Sequence, residues 1–230
     1  MSSTAEATEE TSGDQEEVAT DERREALVER IRTELGDALI DHHILADTDL
    51  WIRVDRERWV DTGLFLRDGL GCAYFNFLSV IDWMPSPFGR EMEAEVDADP
   101  EADTKEPEAM QQGVAGGDSR FQLFARVNNV IDHMGITIKT DLDDDTPSID
   151  TWIPAYDGAN WHEREAFEMY GVDFIGHPNL INLYLPTGFE GNPLRKDFPL
   201  LARRMKPWPG IVDVEQMPGD DEEDETEAST

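Results

Sequence analysis

Apolar positions fall into two periods along the chain. Leu27, Ile31 and Leu35 recur at helical spacing, so residues 21–35 predict a helix that Thr20 can cap and Gly36 can end in a left-handed turn. Two extended runs follow, 38–45 and 50–54. A second helix is expected over 56–70, where Trp59, Gly63, Leu66 and Leu70 form one stripe between Asp55 and Gly71. Residues 74–83 are apolar on both alternations and read as a central strand covered on each face. In 121–127 the side chains of Phe121, Leu123, Ala125 and Val127 alternate inward, 136–140 pairs behind them, and 151–154 supplies a short edge strand. Most of these connections are too short for a crossover helix. The expected fold is therefore α+β, a mixed or antiparallel sheet with helices packed on it.

A different texture begins near residue 157. Residues 157–170 predict a short helix capped by Asn160 or Asp157 and ended by Gly171, with Ala159, Glu163, Ala166, Phe167 and Tyr170 on one face and Arg164, Glu165 and Glu168 turned outward or sideways. Beyond it, Pro178, Pro186, Pro193 and Pro199, interspersed with Gly176, Gly188 and Gly191, forbid a long helix or a central strand, so an extended Pro/Gly-rich C-terminal tail is expected. Glu163 falls inside the apolar stripe and leaves two readings open. Either it closes a capping box with Asn160, or it is a desolvated carboxylate that needs a cation, supplied by Arg195 or by an arginine of another chain.

Charge alters the picture of organisation. The chain has 230 residues, 52 of them acidic and 19 basic, for a net charge of −33. Three runs, 1–22, 91–118 and 213–230, carry −8, −9 and −9 of that total. Segments so charged and so poor in apolar residues bury too little surface to offset chain entropy, and all three are expected to be disordered. The expected layout is an acidic tail at 1–20, an α+β body at 21–157 interrupted by a disordered insertion at 91–118, a helix and extended tail at 158–212, and an acidic tail at 213–230. Phosphate-neutralising nucleic-acid binding is excluded by this balance. Residues 1–22 carry no base and no apolar segment, so they look like neither a secretory signal nor an Arg-rich presequence, and a cytosolic bacterial or archaeal protein is expected. The greasiest stretch, 72–84, is interrupted by Asn76, Ser79 and Asp82 and does not span a bilayer.

Candidate chemistry is sparse. One cysteine, Cys72, can hold neither a disulfide framework nor a four-thiolate cluster, and it reads as a small apolar core residue. His162, Glu165 and Glu168, with Asp173 and His177 beyond, lack the second histidine four residues on that sets two metal ligands on one helix face. His177 precedes Pro178, which suits a histidine that fixes a turn by hydrogen bonding. No glycine-rich phosphate loop and no acid/base constellation stands out.

Two motifs do carry information. Glu163, Arg164, Glu165, Glu168, Met169, Tyr170 and Gly171, followed by His177 and Pro178, resemble the signature of the 30 kDa subunit of respiratory complex I, the C-subunit of bacterial NADH:quinone oxidoreductase. The family's closing tail is matched without a gap from Gly188 through Phe189, Glu190, Gly191, Asn192, Pro193, Leu194, Arg195, Lys196, Asp197, Phe198, Pro199 and Leu200. Weaker similarity reaches back through 56–83. Where many members carry a basic pair after His-Pro, this chain has Ile181 and Asn182. The resemblance implies a structural and assembly subunit of the hydrophilic arm of a proton-pumping enzyme, silent in isolation and free of cofactor, with FMN and iron–sulfur clusters held by partner subunits. It implies docking on the quinone-site subunit of 49 kDa type and on the small iron–sulfur subunit, with peripheral placement on the cytoplasmic side of the bacterial cell membrane. Glu163, Arg164, Glu165, Tyr170, Gly171, His177, Pro178, Glu190, Gly191, Pro193, Leu194, Arg195, Lys196, Asp197 and Pro199 would form the signature and subunit interface. Related subunits of membrane-bound [NiFe]-hydrogenases and deazaflavin-linked quinone reductases are an alternative. A stand-alone metal-dependent hydrolase using Glu163, Glu165, Glu168 and His177 is a second.

Overall fold

The computed structural model of the chain describes residues 21–85 and 109–198. The expected acidic tails, most of the acidic insertion, and Pro199 lie outside the described residues.

The first helix, α1 (Glu22–Leu35), starts at Asp21 rather than Thr20: the Asp21 carboxylate accepts the Arg24 amide at 3.0 Å and ion-pairs with the Arg24 side chain. That amide and guanidinium hold the Asp21 carboxyl down at about 2. Gly36 ends α1 at φ +56°, as expected. Strands β1 (Leu39–Leu45) and β2 (Asp49–Val54) form an antiparallel pair. The predicted second helix begins as a 3₁₀ turn over Arg56–Arg58, capped by Asp55, and continues as α2 (Trp59–Asp68). Then come β3 (Tyr74–Asp82), β4 (Phe121–Asn129) and β5 (Met134–Asp141).

The sheet order is β1-β2-β5-β4-β3, antiparallel throughout except for the parallel pair β2 and β5. After β2 the chain crosses by way of α2 to the far edge and folds back inward through β4 to β5. The mixed α+β sheet is therefore as expected, but β3 is an edge strand and not the central one. Part of its doubly apolar pattern is covered by α3 (Ala159–Tyr170), which lies along it, while Tyr74 and Phe77 stay exposed: the His162 ring meets Phe75 edge-on at 5.3 Å, and His162 Nδ1 is 3.2 Å from the Leu78 carbonyl. Coverage by a helix selects the same apolar residues as coverage by neighbouring strands, so the pattern alone could not rank the strands.

One sheet face carries Leu50, Ile52, Ile136, Ile138, Leu123, Ala125, Val127, Leu78 and Val80, and these join Val28, Ile31 and Leu35 of α1 and Trp59 and Leu66 of α2 in one buried core. Trp152 completes it, stacked on Trp59 with ring centres 4.4 Å apart and its indole N–H donated to the Trp59 carbonyl. A Cβ on Gly63 would lie 2.7 Å from that indole, which is why the α2 stripe holds glycine there. Tyr156 donates its hydroxyl to the Cys72 carbonyl, and burial pushes the Cys72 thiol up to about 11, which suits an inert core position. The expected edge strand at 151–154 is a turn that delivers Trp152; the strand lies just before it, β6 (Ser148–Asp150), paired in parallel with β7 (Asp173–Ile175).

The opposite sheet face carries a polar network beside the edge-on pair of Trp51 and Phe124. Buried Lys139 donates to the Gly116 carbonyl and to Gln122 Oε1, and Gln122 also bonds Gly116 O and the Trp83 indole. Arg53 bonds both Asp118 and Asp141 at 3.2 Å. The end of the expected disordered insertion is therefore packed on the sheet. Nine of the ten acids of 91–118 precede residue 109, so 109–118 has a composition that the charge of the whole run conceals. No helix among the described residues is long and apolar enough to cross a membrane.

Candidate functional site

Helix α3 has no side-chain cap: Gly158 precedes it, and neither Asp157 nor Asn160 bonds a first-turn amide with its side chain. Glu163 accordingly closes no capping box. Fully buried, it accepts the Thr151 hydroxyl at 2.5 Å and the Trp152 amide at 2.6 Å, tying α3 to the turn that seats Trp152. Nor does Arg195 reach it. The nearest cationisable group is His177, whose Nε2 is 3.9 Å away. Burial pushes the Glu163 carboxyl up to about 7 against the opposing pull of those two donors. His177 Nδ1 accepts the Asn179 amide at 3.0 Å and Nε2 faces the Asn160 carbonyl at 3.3 Å, partners that assign the hydrogen to Nε2. The histidine fixes the turn before Pro178 and anchors it to the first turn of α3.

Glu168, expected at the helix surface, is instead buried. Its carboxylate accepts the consecutive amides of Leu183, Tyr184 and Leu185, so the segment after β7 is folded around it. On the neighbouring stripe Arg164 donates to the carbonyls of Ile181 and Asn182, and Glu165 accepts the Tyr184 hydroxyl at 3.0 Å. The signature residues of this one helix thus hold both the turn before it and the chain that follows β7.

The end of α3 accounts for the tail. A helix leaves its last four carbonyls without intrahelical partners. Here the Phe167 carbonyl accepts the Gly171 amide, Glu168 O the Asn192 side chain, Met169 O the Leu194 amide, and Tyr170 O the Arg195 Nε. Gly171 is left-handed at φ +72°, and a Cβ there would lie 2.8 Å from Asn192 Oδ1, so the glycine serves both the turn and the approach of the tail. Arg195 also lies over the Phe121 ring, 4.9 Å from its centre. Of the two partners expected for it, Glu163 is replaced within the chain by the negative end of α3.

Further along, the Lys196 amide donates to Asp82 Oδ2 at 2.8 Å, while Arg120 pairs with Asp82 through two bonds and with Asp197 at 3.1 Å. Burial alone would raise the Asp82 carboxyl; the Arg120 guanidinium with the Lys196 and Met84 amides outweighs it and holds it below its ordinary value. Glu190 and Pro178 are exposed, Pro193 is half-buried, and Gly191, at φ +92°, leaves room for Phe198, whose ring a Cβ would approach to 2.8 Å. Asp82, Arg120, Asn192 and Thr151 carry roles that no sequence motif assigns them. For Asp82 a signal existed, a lone acid in an otherwise apolar run.

The carboxylates of the hydrolase alternative point at separate partners and converge on no common cation position. Among the described residues, no three His, Cys, Asp or Glu side chains gather to hold a metal ion.

The chain matches the family described as the respiratory-chain NADH dehydrogenase 30 kDa subunit over residues 52–204. The NADH-quinone oxidoreductase C-subunit of Roseiflexus sp. (strain RS-1) is 32% identical over 182 residues, covering 78% of this chain and 86% of that protein. The mitochondrial NADH-ubiquinone oxidoreductase 30.4 kDa subunit of Neurospora crassa is 43% identical over 83 residues, 36% of this chain and 29% of that one. Among solved structures, a trypsin-resistant fragment of Nqo5 superposes with a TM-score of 0.47 at 18% identity, covering 69% of this chain and 99% of the fragment.

Proposed function

Because the chain belongs to the 30 kDa subunit family of respiratory-chain NADH dehydrogenase, the family of the NADH:quinone oxidoreductase C-subunits, we propose that it is a cofactor-free structural subunit of that enzyme's hydrophilic arm. The observation that carries the reading is the family match across residues 52–204, which takes in most of the sheet, α3 and the tail. FMN and the iron–sulfur clusters belong to partner subunits in this reading, supported by a sequence whose one cysteine cannot supply four thiolates. The partners are the quinone-site subunit and the small iron–sulfur subunit, and the chain lies peripherally on the cytoplasmic side of the bacterial membrane through them.

The geometry supports a mechanical contribution. A body with a single packed core carries α3, and α3 organises the segment after β7 through Glu168, Arg164 and Glu165 and the tail through its own C-terminal carbonyls. A surface whose irregular backbone is fixed in advance loses less conformational entropy on association than one ordered at the moment of binding. Affinity purification of the tagged full chain from its native membrane tests the reading. Co-purification of the quinone-site and small iron–sulfur subunits, together with NADH-oxidising subunits, is the expected result; hydrogenase subunits in their place, or none, would refute it.

A further inference from the structure

Glu163 and His177 meet wholly inside the fold: neither side chain has any exposed surface, and His177 Nε2 lies 3.9 Å from Glu163 Oε2. An ionised carboxylate has room for about four hydrogen bonds. Glu163 receives two, from the Thr151 hydroxyl on Oε2 and the Trp152 amide on Oε1. In the neutral form these neighbours suffice, because the carboxyl hydrogen can be given to the Thr151 oxygen across the same 2.5 Å contact. The ionised form is left short of donors and faces no cation.

His177 is the group placed to answer. Its Nε2 carries the ring hydrogen and gives it to the Asn160 carbonyl at 3.3 Å, a long bond for N–H to oxygen. Its Nδ1 is already occupied as acceptor of the Asn179 amide at 3.0 Å, so a second ring proton would set two donors against each other. Among the described residues, the charged and titratable groups of the surrounding elements are engaged elsewhere. On α3, Arg164, Glu165 and Glu168 hold the segment after β7, and His162 meets the Leu78 carbonyl. Asp82 of β3 is held by Arg120, Arg67 of α2 by Asp68 and the Pro154 and Ala155 carbonyls, and the Tyr156 hydroxyl by the Cys72 carbonyl. Asp150 of β6, Asp157 before α3 and Asp173 of β7 are exposed to solvent.

We propose that Glu163 and His177 form a proton-controlled latch: loss of the Glu163 proton to solvent moves the His177 Nε2 hydrogen from the Asn160 carbonyl to the Glu163 carboxylate, so that the turn at 176–179 shifts its hold on α3. A hydrogen bond to a carboxylate is roughly twice as strong as one between neutral groups, which decides the direction of transfer. A ring movement of about 1 Å brings Nε2 into bonding range. The turn leads directly into the segment folded around Glu168, so the latch acts at the root of that segment. Burial pushes the Glu163 carboxyl up to about 7, and the latch therefore works near neutral pH.

Nuclear magnetic resonance of the isotope-labelled full chain tests this. From pH 6 to pH 8 the His177 Nε2 proton should move downfield and the Asn160 carbonyl carbon upfield, with one shared midpoint near pH 7, while Nδ1 stays unprotonated. Glu163→Gln should abolish both movements. Thr151→Val removes a donor that favours the ionised carboxyl, so it should raise the shared midpoint, and it decides the matter if Glu163→Gln does not fold. Either movement persisting in Glu163→Gln, an Asn160 carbonyl that does not respond, protonation of Nδ1 as the pH rises, or an unmoved midpoint in Thr151→Val would overturn the proposal.

Discussion

Glu163 shows what burial does to one carboxyl. Its ordinary value is 4.5, and in the fold it is pushed up to about 7 with no cation in hydrogen-bonding range. Between those values the unfolded chain releases a proton that the folded chain keeps. The contribution is therefore full below about 4.5 and is lost as pH rises through about 7, a loss on the order of 3 kcal/mol. Glu163→Gln has no proton to release and keeps an oxygen for the Trp152 amide, so its unfolding free energy should change less between pH 5 and pH 8 than the parent's. Urea titrations at the two pH values measure the difference, and parallel behaviour of the two proteins would place the titration elsewhere.

At the scale of elements, α3 and the tail depend on each other. The tail supplies the partners for three of the helix's last four carbonyls, and the helix supplies most of what holds the tail. Arg195→Ala leaves the Tyr170 carbonyl without its donor and removes a cation from the negative end of the helix, costing about 1 to 2 kcal/mol. For a chain of this size that corresponds to a fall in Tm of roughly 3 to 6 °C, measured by circular dichroism on the isolated chain. Asn192→Ala should cost somewhat less, since a neutral donor is lost. An unchanged Tm in Arg195→Ala would mean that solvent satisfies the carbonyl equally well and that the tail is held from the Asp82 side.

At the scale of the molecule, the polar sheet face links the body to the end of the acidic insertion. Replacing 91–108 by a Gly/Ser linker should shift Tm by no more than a few degrees, because this run's acids offer the core no apolar stripe. Extending the replacement through 118 removes the Gly116 carbonyl from Lys139 and Asp118 from Arg53. A buried ammonium stripped of one of its acceptors costs about 2 to 4 kcal/mol, so this longer replacement should lower Tm by at least ~5 °C. Differential scanning calorimetry of the two replacements separates the contributions, and equal melting would show that Gly116 is dispensable to Lys139.

Helix α1, the paired β1 and β2, α2, the β4–β5 pair and α3 are all legible as periodic runs, because periodicity and terminators such as Gly36 and Gly171 act over a few residues. The motif from 163 to 200 is legible too, and it leads to the family. What the sequence could not supply was the identity of long-range partners within the chain: that Glu163 meets Thr151, that Glu168 turns inward to three amides, that Arg195 ends on a helix carbonyl and not on Glu163. Each carboxylate or guanidinium accepts several partners of similar energy. The choice falls to whichever group the packed sheet brings within about 3 Å, a property of the assembled chain and not of any local run of residues.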